Sequence, residues 1–175
     1  GGERPDWVVL GEPSNLRIMR GHRGRVMFRI TVHGKSSHAS SPHLGKNAIT
    51  AAARLVFGID MLASEMGHDD FLGTGDVAVT RIESDAPSLN AIPDTCVLYI
   101  DRRLTAGETP TRAQLQIEAV IQREGIDAEV EIVEYSAASY TGHELHTREA
   151  FNAWVLGEDH PLLKAARSAV QRVDG

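Results

Sequence analysis

The residues best placed to do chemistry are a histidine in a loop of small side chains, a carboxylate, an amide and an arginine pair. His38 sits in the run Gly34-Lys35-Ser36-Ser37-His38-Ala39-Ser40-Ser41-Pro42-His43-Leu44-Gly45-Lys46-Asn47-Ala48. Small residues surround it, and Gly34, Pro42 and Gly45 punctuate the turns on either side, so the imidazole is held where a ligand can reach it. Glu12 follows the apolar run Trp7-Val8-Val9-Leu10 in Gly11-Glu12-Pro13-Ser14. A carboxylate just past the end of a buried, parallel-type strand is a common position for a ligand-binding group. Asn90 precedes Ile92-Pro93, and Arg102-Arg103 follow Asp101. Taken singly, each has a plainer reading: a solvated loop histidine, a turn carboxylate before proline, a turn amide, an exposed strand end.

The elements that must position these groups follow from hydrophobic period. Residues 6–10 are too short for a helix and read as a fully buried strand. Residues 16–33 read as a long strand or two strand segments, with Val26, Phe28, Ile30 and Val32 alternating against Met27, Arg29, Thr31 and His33; that is the period of a half-buried antiparallel strand. Gly21-His22-Arg23-Gly24 interrupts it as a bulge or bend. After the His38 loop, residues 47–66 repeat apolar side chains at three- and four-residue spacing, from Ile49 through Ala52, Leu55 and Ile59 to Leu62, and predict a helix capped at or near Asn47.

Residues 73–84 predict a second strand, 86–91 a loop, and 93–104 a third strand with Cys96, Leu98 and Ile100 on one face and Val97 and Tyr99 on the other. Thr109-Pro110 opens a second helix, proline being tolerated in the first turn; Leu115, Ile117, Ala119, Val120 and Ile121 lie on it, and it closes near Gly125. Residues 128–135 alternate again. Strand, helix, strand, strand, helix, strand is the split βαβ or ferredoxin-like plan, an antiparallel sheet with two helices on one face, in the α+β class. Residues 136–154 read as a loop-rich polar stretch with aromatics. Residues 159–173 read as a short helix opened by His160-Pro161, with Leu162, Leu163, Ala166, Ala169, Val170 and Val173 on its apolar side. The first strand and the last helix do not belong to the ferredoxin-like plan. They read as edges of an α/β domain into which that unit is inserted.

Composition bounds the rest. The chain has 175 residues, 42% of them apolar and only 5% aromatic, with 18 Lys and Arg against 24 Asp and Glu for a net charge of −6. That length fits one domain, or one domain with pieces of a second. An acidic chain with Phe28 and Tyr99 as its strand aromatics is a poor RNA-binding surface, which needs stacking rings on a basic face. No apolar run approaches the roughly 20 residues of a membrane span. The single Cys96 fits a reducing compartment. There is no initiator methionine and no signal peptide, and the opening Gly1-Gly2-Glu3-Arg4-Pro5 is expected of an excised or trimmed piece of something longer. Repeats and low-complexity tracts are absent.

Four blocks, in order and at matching gaps, carry a resemblance, Val9 to Ser14, Gly21 to Gly24, Val32 to Pro42 and Gly45 to Ala48, and Asn90-Ala91-Ile92-Pro93-Asp94 followed by Asp101-Arg102-Arg103 fits the next block. They resemble the two-zinc metallopeptidases and amidohydrolases that include succinyl-diaminopimelate desuccinylase, acetylornithine deacetylase and the aminoacylases. Ser139 to Gly142, Phe151 to Trp154, and Glu158 to Leu162 are similar to the branch described as selenium-metabolism-linked hydrolases.

The resemblance implies a catalytic domain with two zinc ions, cobalt or manganese being alternatives, and an inserted ferredoxin-like lid that makes a homodimer. It divides the chain into residues 1–14, the end of a catalytic-domain strand; 15–135, the lid; and 136–175, a return segment and helix of the catalytic domain. It implies Glu12 as a zinc ligand, a role that suits a hard oxygen donor. It implies His38 as a lid histidine reaching the partner's active site to hydrogen-bond the oxyanion, and Asn90 as a second polar group near that oxygen or the substrate. Arg103 would hold a substrate carboxylate, for which a guanidinium fork is suited.

The family's His-x-Asp motif, bridging Asp, Glu-Glu pair and final His are not in these residues. The expectation is therefore a catalytically inert lid and dimerisation portion of a cytoplasmic zinc enzyme. That enzyme would cleave an amide or peptide bond of a small, carboxylate-bearing substrate, without nucleic acid or membrane as partner. The alternative is a stand-alone ferredoxin-like regulatory module binding a small ligand at a dimer interface. His22, His33, His43, His68, His143, His146 and His160 are expected to be surface or capping residues, and Glu144 and His146 lack ligand-like spacing.

Overall fold

A computed structural model describes residues 4–174, so the opening residues 1–3 and the first part of segment 1–14 lie outside the described residues. In chain order the strands and helices begin β1 (Gly21–His22), β2 (Gly24–His33), β3 (Ser37–His38) and α1 (Ala48–Leu62). There follow β4 (His68–Asp69), β5 (Gly73–Thr74), β6 (Asp76–Ser84), β7 (Ala91–Ile92), β8 (Thr95–Leu104) and α2 (Pro110–Arg123). The last are β9 (Ala128–Ile132), β10 (Glu134–Ala138), β11 (Glu144–Arg148), β12 (Ala150–Phe151), β13 (Trp154–Val155) and α3 (Pro161–Asp174). The chain divides into two compact units, one of residues 23–153 and one of residues 1–22 with 154–175.

The larger unit is the ferredoxin-like plan. Its antiparallel sheet runs β9, β2, β8, β6, with β12 sharing the β9 side of β2. Two central ten-residue strands pair along their whole length, from Gly24 opposite Leu104 to His33 opposite Thr95. Alternation decides which face is buried: Val26, Phe28, Ile30 and Val32 on β2 and Cys96, Leu98, Ile100 and Leu104 on β8 are all fully buried. Against them pack Ala48, Ala52, Leu55 and Ile59 of α1 and Ala113, Ile117 and Val120 of α2. Burying a side chain of this size contributes about 1.5–3 kcal/mol, so this face holds the unit together.

Local signals set the helix starts. The Asn47 side chain accepts from the backbone N–H groups of Ile49 and Thr50, and the Thr109 hydroxyl accepts from that of Arg112. Helix α1 ends at Leu62 and continues as a 3-10 turn, Ala63–Glu65. Ile49 and Leu115 fall on solvent-facing sides of their helices.

Several segments differ from their sequence-based expectation. Residues 6–10 form no strand, and Val9 and Leu10 are each 78% exposed. A strand needs a partner for its N–H and C=O groups, and no described strand pairs with this one. Residues 16–20 likewise lie outside any strand. The second strand is broken at Gly75 and the fourth stops at Ile132.

Residues 136–154 are not simply loop. β10 and β11 form a hairpin, Glu134 opposite Arg148 through Ala138 opposite Glu144, and the chain then rejoins the sheet as β12. The departure and return points are both pinned on Met27, whose carbonyl accepts from Val133 N–H at 2.9 Å and whose N–H donates to the Glu149 carbonyl at 2.9 Å.

Arg102, for which an exposed strand end is the plainer reading, is 1% exposed. Its Nη2 pairs with Glu108 at 2.5 Å, and the Glu108 carboxylate also accepts from the Thr105 N–H at 2.9 Å.

In the smaller unit, β1 pairs β13 and the His22 ring meets Trp154 edge-on at 5.2 Å. Glu158 bridges Arg20 at 3.3 Å and Arg167 at 2.9 Å. His160 does cap α3, its Nδ1 accepting from Leu162 N–H at 3.3 Å, while Val173 on the expected apolar side is exposed. Among the described residues no helix is long and apolar enough to cross a membrane.

Candidate functional site

The loop carrying His38 is closed at its base. Lys35 and Lys46 exchange both backbone hydrogen bonds at 2.8 Å, and Asn47 then caps α1. Gly34 and Gly45 are needed here for close backbone approach. A Cβ on Gly34 would meet the Lys46 carbonyl and Ala48, and one on Gly45 would meet the Lys35 carbonyl and Ser37.

The Asn90 block lies alongside this loop. Gly34 N–H donates to the Asp94 carbonyl at 2.7 Å and Ala48 N–H to the Pro93 carbonyl at 3.1 Å. β3 pairs β7 with Ser37 opposite Ile92 and His38 opposite Ala91, and Ala39 N–H donates to the Asn90 carbonyl at 2.7 Å. Two motifs far apart in sequence are thus one antiparallel ladder.

That ladder sets two side chains together. Asn90 Nδ2 lies 3.3 Å from His38 Nε2, and Asn90 Oδ1 accepts from the Ser88 hydroxyl at 2.6 Å. His38 Nδ1 faces the Ser40 hydroxyl at 2.7 Å and accepts from the Ser40 N–H at 3.2 Å. His38 and Asn90 are both exposed, so a polar, solvent-facing pair of hydrogen-bonding groups is presented at one end of the sheet. Ser40 and Ser88 were not singled out by sequence reasoning. The signal for them was proximity, each being two residues from the group it touches.

Arg103 is elsewhere. It pairs across the sheet with Arg25, at the opposite end of β8 from Thr95. Eight residues at about 3.3 Å each put roughly 26 Å of strand between these ends. Arg103 Nε lies 2.7 Å from Asp101 Oδ1 and its Nη2 donates to Oδ2 at 3.0 Å. Arg25 binds the same carboxylate at 3.1 Å and Glu149 at 3.4 Å. The guanidinium is therefore held by one carboxylate on its Nε side.

Glu12 is exposed in an irregular segment of the smaller unit, its carbonyl accepting from Ser14 N–H at 2.8 Å. Glu144 and His146 approach to 3.4 Å on the hairpin, a surface pair. No group of three or more His, Cys, Asp or Glu residues among the described residues could hold a metal ion, so these residues do not by themselves fit a zinc pair.

The peptidase dimerisation domain family matches residues 20–129. The chain belongs to that family. The match spans the ferredoxin-like core from before β2 into β9. The chain is 38% identical over 174 residues to a protein named Uncharacterized protein YgeY from Escherichia coli, covering 99% of this chain and 43% of that protein. It is 31% identical over 134 residues to succinyl-diaminopimelate desuccinylase of Albidiferax ferrireducens, covering 74% of this chain and 34% of that enzyme. It thus spans less than half the length of the curated relatives it matches.

Among solved structures, aminopeptidase PepT from Bacillus cereus superposes with a TM-score of 0.61 at 15% identity, over 88% of this chain and 36% of that one. A tripeptidase from Staphylococcus aureus gives 0.59 at 17% identity, over 89% and 36%. At these identities the likeness is one of fold.

Proposed function

We propose that this chain is the lid and dimerisation portion of a hydrolase acting on an amide or peptide bond of a small carboxylate-bearing substrate. The observation that carries the reading is the pairing of His38 with Asn90 on an exposed ladder. The His38 imidazole N–H is the group that would stabilise the negative oxygen of a tetrahedral intermediate, with the Asn90 amide as a polar neighbour near that oxygen or the substrate. Arg103 would hold the substrate carboxylate. Because Asp101 takes its Nε side, the ligand would approach the Nη1 side of the fork.

The separation of these groups along β8 favours sites assembled from two chains, each His38–Asn90 pair serving its neighbour. The open edge of β6 suits such an assembly, as unpaired strand edges invite pairing. Beside it α1 exposes Phe57 and Met61 at i and i+4, and β6 exposes Ile82. A homodimer through this face is the proposed partner arrangement. Zinc is the metal proposed for the whole protein, with Glu12 as one ligand and the remaining ligands outside these residues. The metal supplies Lewis acidity where it is bound; the lid residues bind and orient.

A mixed dimer tests the reading. One chain of the whole protein carries both His38→Ala and Glu12→Ala, and its partner is wild type; turnover is measured on a panel of N-acyl amino acids and dipeptides. Loss of activity is expected, because the intact metal site loses its neighbour's histidine. Retention of half the activity would assign His38 to its own chain.

A further inference from the structure

We propose that Ser40 is a positioning residue that fixes the proton of neutral His38 on Nε2, so that the ring offers an N–H donor toward Asn90. The inference rests on the oxyanion reading of His38 for its purpose, and on geometry alone for its content. Most groups in this network have adjustable polarity: a hydroxyl rotates, an amide can be turned by 180°, and an imidazole has two neutral forms. The Ser40 backbone N–H is different, because it is a donor and nothing else. It points at His38 Nδ1 at 3.2 Å, so Nδ1 must be the unprotonated acceptor.

The rest of the network then follows. With Nδ1 accepting, the Ser40 hydroxyl at 2.7 Å donates to the same nitrogen. The ring proton lies on Nε2, which faces the Asn90 amide at 3.3 Å. As placed, Asn90 Nδ2 faces Nε2 and Oδ1 accepts from the Ser88 hydroxyl at 2.6 Å. Two donors cannot share the Nε2 contact, so the amide must be turned by 180°, with Oδ1 toward Nε2–H and the NH2 toward the Ser88 oxygen. Every group has a partner of opposite polarity. Placing the proton on Nδ1 instead sets it against the Ser40 N–H, a donor facing a donor. A neutral ring so arranged has its proton on Nε2, which can exchange its Asn90 partner for a developing negative oxygen, whereas an Nε2 lone pair would repel it.

Long-range 1H–15N correlation spectra of the uniformly labelled chain, in mildly alkaline buffer, read the ring directly; the His38 signals are assigned by their loss in His38→Ala. The expected result is Nδ1 at the unprotonated end and Nε2 at the protonated end of the imidazole 15N range. Ser40→Ala and Ser40→Thr, which both keep the backbone N–H, should leave Nδ1 the unprotonated and Nε2 the protonated nitrogen, because the N–H and not the hydroxyl fixes the ring form. Since Ser40 is exposed, neither change removes core packing, and unchanged backbone amide spectra check the fold. A proton on Nδ1, averaged shifts in the wild type, or averaged shifts in Ser40→Ala would each overturn the proposal. Its failure is separable from that of the oxyanion reading: the ring form is measured without substrate, and normal turnover of His38→Ala in the whole protein would remove the catalytic role while leaving the ring assignment intact.

Discussion

The imidazole of His38 and the side-chain amide of Asn90 stand 3.3 Å apart although 52 positions separate them in the chain. Neither side chain is buried, so apolar burial does not bring them together. The β3–β7 ladder does, with the Ala39 N–H to Asn90 carbonyl bond as its last rung.

His38→Ala in the whole protein should lower turnover roughly 10²–10³-fold, the effect of losing one oxyanion donor worth about 2.7–4 kcal/mol. KM should move far less, because the oxyanion is absent from the ground state. Steady-state kinetics beside a thermal melt check this, and a matched loss of stability would point instead to a structural role.

Phe57→Glu with Met61→Glu should yield a monomer. Both side chains are largely exposed on α1, at 72% and 68%, so the charges cost the isolated fold little but would be buried unpaired in the proposed interface. Light scattering over a concentration series reads the outcome; a persistent dimer would move the interface elsewhere.

Glu108→Ala should destabilise the larger unit by about 3–5 kcal/mol, since it leaves the Arg102 guanidinium as an uncompensated buried charge. Glu108→Gln keeps an acceptor for the Thr105 N–H and should cost less. Urea unfolding of the two variants beside wild type gives the comparison.

Cys96 should resist alkylation in the folded chain. It is fully buried, and burial raises its thiol pKa, so both access and the thiolate fraction are reduced. Labelling should appear in denaturant; fast labelling in native buffer would contradict the packing of β8.

The Glu158 carboxyl should titrate below the usual carboxylate range, because Arg167 hydrogen-bonds it and adds to the favourable charge, with Arg20 contributing. A folded-state pKa that is lowered gives stability present above the unfolded value, roughly 4.3, and lost as pH falls through the folded one. Carboxyl 13C titration should show the midpoint rising in Arg167→Ala. An unmoved midpoint would mean the bridge is not formed in solution.

Local order determined much of this chain. Strict alternation from Val26 to Val32 and from Cys96 to Leu104 set the buried faces of β2 and β8, and Asn47 and Thr109-Pro110 set the helix starts. These signals act within a few residues, so the ferredoxin-like order could be read directly. The same alternation held a signal for Arg102, which falls in phase with Leu98, Ile100 and Leu104 and is buried with them. Its carboxylate partner, Glu108, comes from the turn before α2, which no periodicity announces.

Pairing was what only the tertiary structure decided. Residues 6–10 have the composition of a buried strand, but a strand exists only where another backbone answers its hydrogen bonds. Residues 136–154 have the composition of a loop, yet β10 and β11 answer each other and β12 answers β2. The His38 and Asn90 motifs were each visible in sequence as separate turns. Whether they meet depends on a ladder closed across 52 residues, and on a serine N–H whose fixed polarity orients the ring.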